Sequence, residues 1–273
     1  MRFTFFLFLS LLVLTGCDNS QSGSEHQSSD SPLTEIKKSY ADSTSVVELE
    51  GLEMGATKVD LIWIEFEGGK NDVASKINAA IRDEIISDII SVSGIDEAGG
   101  VEKPSDIPSA ADGFIRSYEQ ISDEIGGEFP WMLSMHLNKE YLSDKLLSLH
   151  LNSETYTGGA HGYNGNYYLH FDPQTGEKAD VYSFISDTVA LKNLLVKNFK
   201  AQYKLKDSAV MSDAGLFDMY DKTLPLPREL AFSSQGLIAI YNPYDIAPFS
   251  EGTIVVTLND DEVKQIVSNG IKP

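Results

Sequence analysis

Hydrophobic and polar positions repeat with periods that predict strands and helices along most of the chain. Residues 57–67, TKVDLIWIEFE, alternate between apolar and polar side chains, which is the period of a half-buried strand. The next segment has an apolar residue every four positions from Val73 to Ile89, which is typical of an amphipathic helix. We expect this helix to be capped by Asn71 and to stop at Gly94.

Further elements follow the same two periods. A second helix is predicted over 111–125, and a third over 187–203 with Asp187 as its N-cap. The segment 172–176, DPQTG, predicts a tight turn because Asp opens type I turns, Pro suits their second position and Gly accepts a positive φ afterwards. The other predicted elements are strands at 131–138, 145–156, 166–172, 178–185, 228–233, 236–241 and 253–258, and a short helix after Asp260.

The order of these elements predicts the fold class. Strands and helices occur in groups instead of alternating strictly, which favours an α+β fold of antiparallel sheets with packed helices. We expect two consecutive subdomains, at 43–175 and 176–273. A flexible tether is predicted over 18–42, mainly because residues 18–31 are serine-rich and lack large apolar side chains.

The N-terminal residues predict export and membrane attachment. The apolar run at 3–14 is shorter than the ~20 residues of a spanning helix and ends in Leu-Thr-Gly-Cys, so residues 1–17 are predicted to be a signal peptide. This ending resembles the bacterial lipobox, which implies lipidation of Cys17 with acyl chains such as palmitate. The alternative is ordinary secretory cleavage that leaves a free thiol. Asp18 resembles an inner-membrane retention signal of some Gram-negative bacteria, which leaves the choice of membrane open.

Charge and cysteine content narrow the possible partners. The chain carries 41 acidic and 21 basic side chains, for a net charge of −20, so nucleic acid is not expected to bind. A field of this sign attracts cationic molecules, although acidity can also serve solubility alone. Cys17 is the only cysteine, which excludes disulfides within the chain.

Two histidines are weak candidates for a metal site. The period of two places His150 and His170 on the same polar sheet face, and a register that set them opposite each other would bring them about 5 Å apart. Glu154 or Asp172 could then supply a third ligand. The other interpretation is an ordinary polar face, so we predict no metal and no cofactor.

A glycine-rich loop between these strands is the main candidate for ligand binding. Gly158 and Gly159 permit left-handed backbone next to His161, and Tyr156 and Tyr163 could offer rigid amphipathic surface. A tight hairpin without function is equally compatible with the pattern. No Gly-x-Ser-x-Gly elbow or P-loop is present, so no catalytic residue is predicted.

Two segments carry a family resemblance. YTGGAHG at 156–162, followed by the 172–176 turn, and PYDIAPF at 243–249 resemble the paired extracytoplasmic domains of RsiV-type anti-sigma factors and PdaC-type peptidoglycan deacetylases. The resemblance implies a PdaC-like domain at 43–175, an RsiV-like domain at 176–273, and a ligand-binding role for Tyr244 and Asp245. In RsiV-type proteins this region senses lysozyme.

These observations together predict a lipid-anchored protein of the bacterial cell envelope that faces the periplasm or the exterior. Its non-enzymatic domain is expected to bind a lysozyme-like cationic protein or a peptidoglycan fragment. We expect neither a sigma-binding segment nor a deacetylase domain. The alternatives are an envelope hydrolase or metal-dependent enzyme centred on the Gly-Gly-Ala-His-Gly loop, and a purely structural lipoprotein.

Overall fold

Two sheets packed against helices, and a short sheet of two strands, form the described part of the protein. The computed structural model describes residues 32–49, 51–94, 104–125, 129–268 and 271. The predicted signal peptide, with Cys17, lies outside the described residues. The strands are β1 (Thr34–Ser43), β2 (Val47–Leu49), β3 (Leu52–Gly55), β4 (Lys58–Glu67), β5 (Met132–Leu142), β6 (Leu147–Tyr156), β7 (Tyr163–Phe171), β8 (Glu229–Ser233), β9 (Gly236–Tyr241) and β10 (Ile254–Asn259), and the α-helices are α1 (Val73–Ser93), α2 (Ile107–Ile125), α3 (Thr188–Gln202) and α4 (Asp260–Val263).

The larger sheet has five strands in the order β1-β4-β5-β6-β7. All neighbours are antiparallel except β4 and β5, which run parallel. A parallel pair needs a long crossover, and α1 and α2 supply it between these two strands. The α+β class predicted from the order of elements is confirmed, and this parallel pair is the one departure from antiparallel pairing in that sheet.

The first core lies between this sheet and its two helices. The predicted stripe of α1, from Val73 to Ile89, is buried. On α2, Phe114 and Tyr118 place their rings 5.5 and 5.8 Å from the ring of Trp131. Burying an aromatic side chain of this size contributes about 3 kcal/mol, so these contacts hold α2 against the sheet.

The second core belongs to the C-terminal part of the chain. There β8, β9 and β10 form an antiparallel sheet in the order β10-β9-β8, covered by α3 and α4. Phe199, Phe232 and Tyr241 are fully buried in this core. Asp187 caps α3 as predicted, because its carboxylate accepts hydrogen bonds from the backbone of Val189 and Ala190.

The tether predicted over 18–42 is wrong for its last residues. Residues Thr34–Ser43 form β1, which pairs with β4 along its whole length. Only Ile36 and Tyr40 of this edge strand are partly buried, and the Tyr40 hydroxyl donates to Asp112 on α2. Few large apolar residues are needed on an exposed edge, which explains why composition alone suggested a tether.

Three predicted boundaries also need correction. Asn71 does not cap α1: it and Asp72 have φ angles of 50° and 61°, a left-handed turn that these residue types tolerate. Helix α2 begins at Ile107 instead of 111, because Asp106 accepts from the backbone N–H of Ser109. The predicted strand 178–185 reduces to two isolated bridges, at Lys178 and Ile185, on either side of a 3₁₀ turn at Val181–Phe184.

Among the residues that the structure describes, no helix is long and apolar enough to cross a lipid bilayer.

Candidate functional site

The glycine-rich loop between β6 and β7, residues 157–162, is here called loop A. Gly158 and Gly159 have φ angles of 94° and 87°, and the Tyr156 hydroxyl donates to the Gly159 carbonyl at 3.2 Å. A Cβ on Gly162 would lie 2.6 Å from the carbonyl oxygen of Thr155. The glycines therefore set the path of this loop, as their clustering suggested.

The second loop, residues 242–252 between β9 and β10, is here called loop B. Asp245 holds its first turn: its carboxylate accepts from the backbone N–H of Asn242 at 2.8 Å, and its own N–H donates to the Asn242 carbonyl at 3.0 Å. The turn leaves Tyr244 with a φ of 75° and a side chain that is 56% exposed. Asp245 is thus a structural residue that presents Tyr244.

The two loops meet through aromatic rings. The imidazole of His161 stacks on Phe249 with centroids 3.8 Å apart and an interplanar angle of 17°. The ring of Tyr244 lies 5.7 Å from Phe249 on the same loop. These three side chains, here called the aromatic surface, join the two segments on which the family resemblance rests. Phe249 lies in the PYDIAPF segment but was not among the predicted binding residues.

The bonding of His161 does not suggest a general base. Its Nδ1 donates to the carbonyl oxygen of Gly162 at 2.8 Å, and one ring face is occupied by Phe249. A catalytic imidazole is usually oriented by a carboxylate and faces a nucleophile. His161 therefore has the geometry of a packing residue with an exposed edge.

Tyr163 is the first residue of β7 and directly follows loop A. Its side chain is 37% exposed, and its pKa is raised by burial, with a further contribution from the carboxylate of Asp245. The other predicted residues of loop A shape the loop or flank it. The structure thus brings His161 and Tyr244 together through Phe249. The charge of Asp245 acts on Tyr163.

The charges of Asp88 and Glu229 also act on Tyr163. The pKa of Asp88 on α1 is raised by burial and by the neighbouring charge of Glu84. The pKa of Glu229 on β8 is also raised, mainly by burial and further by Asp245. Both carboxyl groups are therefore easier to protonate than exposed ones.

The register that would set His150 opposite His170 is not the one that the strands adopt. The register of β6 and β7 sets His150 opposite Tyr168 and His170 opposite Ser148, so each histidine lies two residues away from a position opposite the other. The Tyr168 ring lies beside both imidazoles, at 5.1 and 6.0 Å. Both histidines do share one face, as the period of two predicted.

Each of these histidines has a protein partner. His150 Nε2 bonds the side-chain oxygen of Asn166 at 3.1 Å, and the Ser148 hydroxyl lies 2.9 Å from His170 Nδ1. Burial lowers the pKa of His170 to about 4. Within the described ranges, no group of three or more His, Cys, Asp or Glu side chains could hold a metal ion.

Comparison with known proteins identifies two domains. Residues 53–164 match the family model described as Deacetylase PdaC, and residues 184–261 match the model described as a protein of unknown function, DUF3298. Loop A lies in the first match and the whole of loop B in the second. No curated protein matches the chain.

Two crystal structures share the fold. One is a member of the DUF3298 family from Bacteroides fragilis NCTC 9343, with 17% identity, a TM-score of 0.64, and coverage of 87% of this chain and 94% of that one. The other is a DUF3298 family protein from Pseudomonas aeruginosa PAO1, with 15% identity, a TM-score of 0.60, and coverage of 89% and 98%. At these identities the likeness concerns the fold alone.

Proposed function

We propose that this chain is a lipid-anchored protein of the bacterial cell envelope that binds a ligand on the aromatic surface without catalysing a reaction. The stacking of His161 on Phe249 carries the proposal, because it joins both loops into one partly exposed patch. Exposed aromatic side chains held by rigid loops are typical of binding sites. A lipidated Cys17 would tether the domain to the membrane.

A cationic protein such as lysozyme is the proposed ligand. Tyr244 and Tyr163 offer exposed aromatic rings, and the negative charge of Asp245 acts on Tyr163. Lysine and arginine side chains can bind both aromatic rings and carboxylates. The net charge of −20 would speed the approach of such a protein. An anti-sigma role of the RsiV type is not part of the proposal.

Two observations favour binding over the alternative of an envelope hydrolase. His161 is paired with a backbone carbonyl instead of a carboxylate, and His150 and His170 are committed to Asn166 and Ser148. A match to a model named for a deacetylase suits a role near peptidoglycan. Peptidoglycan fragments are therefore the second ligand to test on the aromatic surface.

The test is calorimetric titration of lysozyme into the full-length chain in detergent, at low, physiological and high salt. We expect saturable one-to-one binding that survives physiological salt and is weakened at least about tenfold by Tyr244→Ala. Val189→Ala removes another exposed apolar side chain, on α3, and should change nothing. Heat that appears only at low salt, or equally with cytochrome c, would show a general effect of charge and refute the proposal.

A further inference from the structure

The face of the large sheet that points away from α1 and α2 carries an unusual set of side chains on β5, β6 and β7. In its middle row, His136, Asn152 and Asn166 lie next to one another on the three strands. The next row contains His150 and Tyr168. The amide face, as we call it, consists of His136, His150, Asn152, Asn164, Asn166 and Tyr168, all of which are partly buried.

Hydrogen bonds fix the orientation of these side chains. The Asn152 amide donates to the side-chain oxygens of Asn164 and Asn166 at 3.0 and 3.2 Å. Asn164 in turn donates to Glu154 at 2.8 Å, and His150 bonds the side-chain oxygen of Asn166. The face is therefore a connected network with defined donor and acceptor directions.

Folding alone does not account for this composition. Asparagine is depleted in strands, where β-branched and aromatic residues are preferred, yet Asn152, Asn164 and Asn166 lie side by side. His136 lies in the same row, and its buried Nε2 atom has no hydrogen-bond partner among the described residues. A buried polar atom without a partner lowers the free energy of unfolding by about 1–3 kcal/mol. Packing alone therefore does not favour these side chains in this row.

The charge of the face also differs from that of the whole chain. The molecule has a net charge of −20, and the six positions of the amide face contain no aspartate, glutamate, lysine or arginine. The nearest charges belong to Glu154, opposite Asn164, and to Glu140 and Glu229, which act on Tyr168. Glu154, at the end of the network, is bonded to Asn164. A solubilising face would be expected to carry the charges that are abundant elsewhere.

We propose that the amide face binds an uncharged saccharide chain. Sugar hydroxyl groups both donate and accept hydrogen bonds, as side-chain amides do, so a fixed array of amides matches a hydroxylated ligand. The rings of Tyr168 and His150, with centroids 5.1 Å apart, offer flat surfaces for the C–H faces of the sugar. Three strands span about 10 Å, which is room for a disaccharide.

This site lies on the sheet and goes beyond the proposed function, which uses the loops. The two proposals can be refuted independently. Tyr244→Ala should weaken the binding of lysozyme and leave the binding of the saccharide unchanged, and a variant of the amide face should do the reverse.

The first experiment titrates tetra-N-acetylchitotetraose, with maltotetraose in comparison, into the full-length chain labelled with ¹⁵N-asparagine. We expect saturable shifts of the side-chain amide signals of Asn152, Asn164 and Asn166 at millimolar saccharide, with affinity independent of salt because the ligand is uncharged. Absence of saturable shifts with both saccharides, or shifts confined to asparagines outside the sheet, would overturn the proposal.

The second experiment uses Asn152→Leu, which keeps the number and branching of the side-chain heavy atoms and replaces a residue that is depleted in strands. Loss of its two bonds to Asn164 and Asn166 should weaken saccharide binding on the order of tenfold or more. Asn193→Leu, the same change on an exposed position of α3, is the control. Unchanged affinity in a folded Asn152→Leu variant would also overturn the proposal.

Discussion

The side chain of Asn242 pairs with the backbone of Asn166 as a neighbouring strand would. Its oxygen accepts from the Asn166 N–H and its amide group donates to the Asn166 carbonyl, both at 2.8 Å. Asn166 lies on β7, the edge of the large sheet, and Asn242 is the buried first residue of loop B. The pair therefore covers a sheet edge and fixes loop B beside loop A.

Replacing Asn242 with alanine should destabilise the protein. Two partly buried backbone groups would lose their partners, at about 1–3 kcal/mol each, so we expect a loss of about 2–6 kcal/mol in the free energy of unfolding. Urea denaturation measures this change. Asn242→Asp keeps the acceptor oxygen and loses the amide donor, so its free energy of unfolding should lie between those of the wild type and Asn242→Ala.

Asn193→Ala on α3 is the matched control and should stay within about 0.5 kcal/mol of the wild type. If Asn242→Ala falls in the same range, the pair does not hold the two parts together.

Local sequence patterns predicted most of the helices and strands. The elements that they did not predict depend on tertiary contacts. The four-residue repeat in α1 and the capping carboxylate of Asp187 are local, and both were confirmed. In β1, Ile36 and Tyr40 lie four residues apart on an edge strand, and this spacing does not distinguish a strand from polar coil. Its pairing with β4 comes from a segment that begins 15 residues later.

The sequence also pointed to the parts of the candidate site without predicting how they meet. Glycines and the family resemblance pointed to both loops, but the stacking of His161 on Phe249 joins residues far apart in sequence. The period of two placed His150 and His170 on one face, whereas the register that separates them depends on the path of loop A. Asn242 gave no local signal, because its partner is a backbone 76 residues away.

His170 should make the stability of the protein depend on pH. Its pKa is about 4 in the folded state because of burial, against 6.5 ordinarily, so the unfolded chain binds the proton first as pH falls. The folded state should therefore lose up to about 1.4 kcal/mol per pH unit between pH 6.5 and 4 from this residue.

Unfolding of the wild type and His170→Gln across this range measures the effect. The variant cannot bind the proton and should gain stability relative to the wild type as pH falls. Ser148→Ala removes the hydroxyl beside Nδ1 but keeps the imidazole, so its pH dependence should resemble that of the wild type. A difference between His170→Gln and the wild type that is constant with pH would contradict this assignment.

Glu229 should have the opposite effect to His170, because its contribution should make the protein more stable as pH falls. Burial raises its pKa above 4.5, so the folded state binds the proton more readily than the unfolded chain, and the charged form costs stability at neutral pH. Glutamine keeps an oxygen for the Tyr168 N–H, which donates to Glu229 at 2.7 Å. We expect Glu229→Gln to be more stable than the wild type at pH 7, with the advantage disappearing below pH 4.5.

Thermal unfolding at several pH values compares this variant with Glu119→Gln, which removes the same charge from an exposed position of α2. An equal gain in both variants would assign the effect to net charge instead of burial. A loss of stability in Glu229→Gln at pH 7 would mean that the charged bond to Tyr168 outweighs the cost of burial.

The contact between His161 and Phe249 should contribute a measurable coupling energy between the loops. A double-mutant cycle of His161→Ala and Phe249→Ala isolates it, and stacked rings 3.8 Å apart predict about 0.5–1.5 kcal/mol. Tyr156→Phe is the control, since it removes only the hydroxyl bond to Gly159 within loop A and should not couple to Phe249→Ala. Additive effects of His161→Ala and Phe249→Ala would mean that the loops are adjacent without supporting each other, and a ligand of the aromatic surface would then have to order them itself.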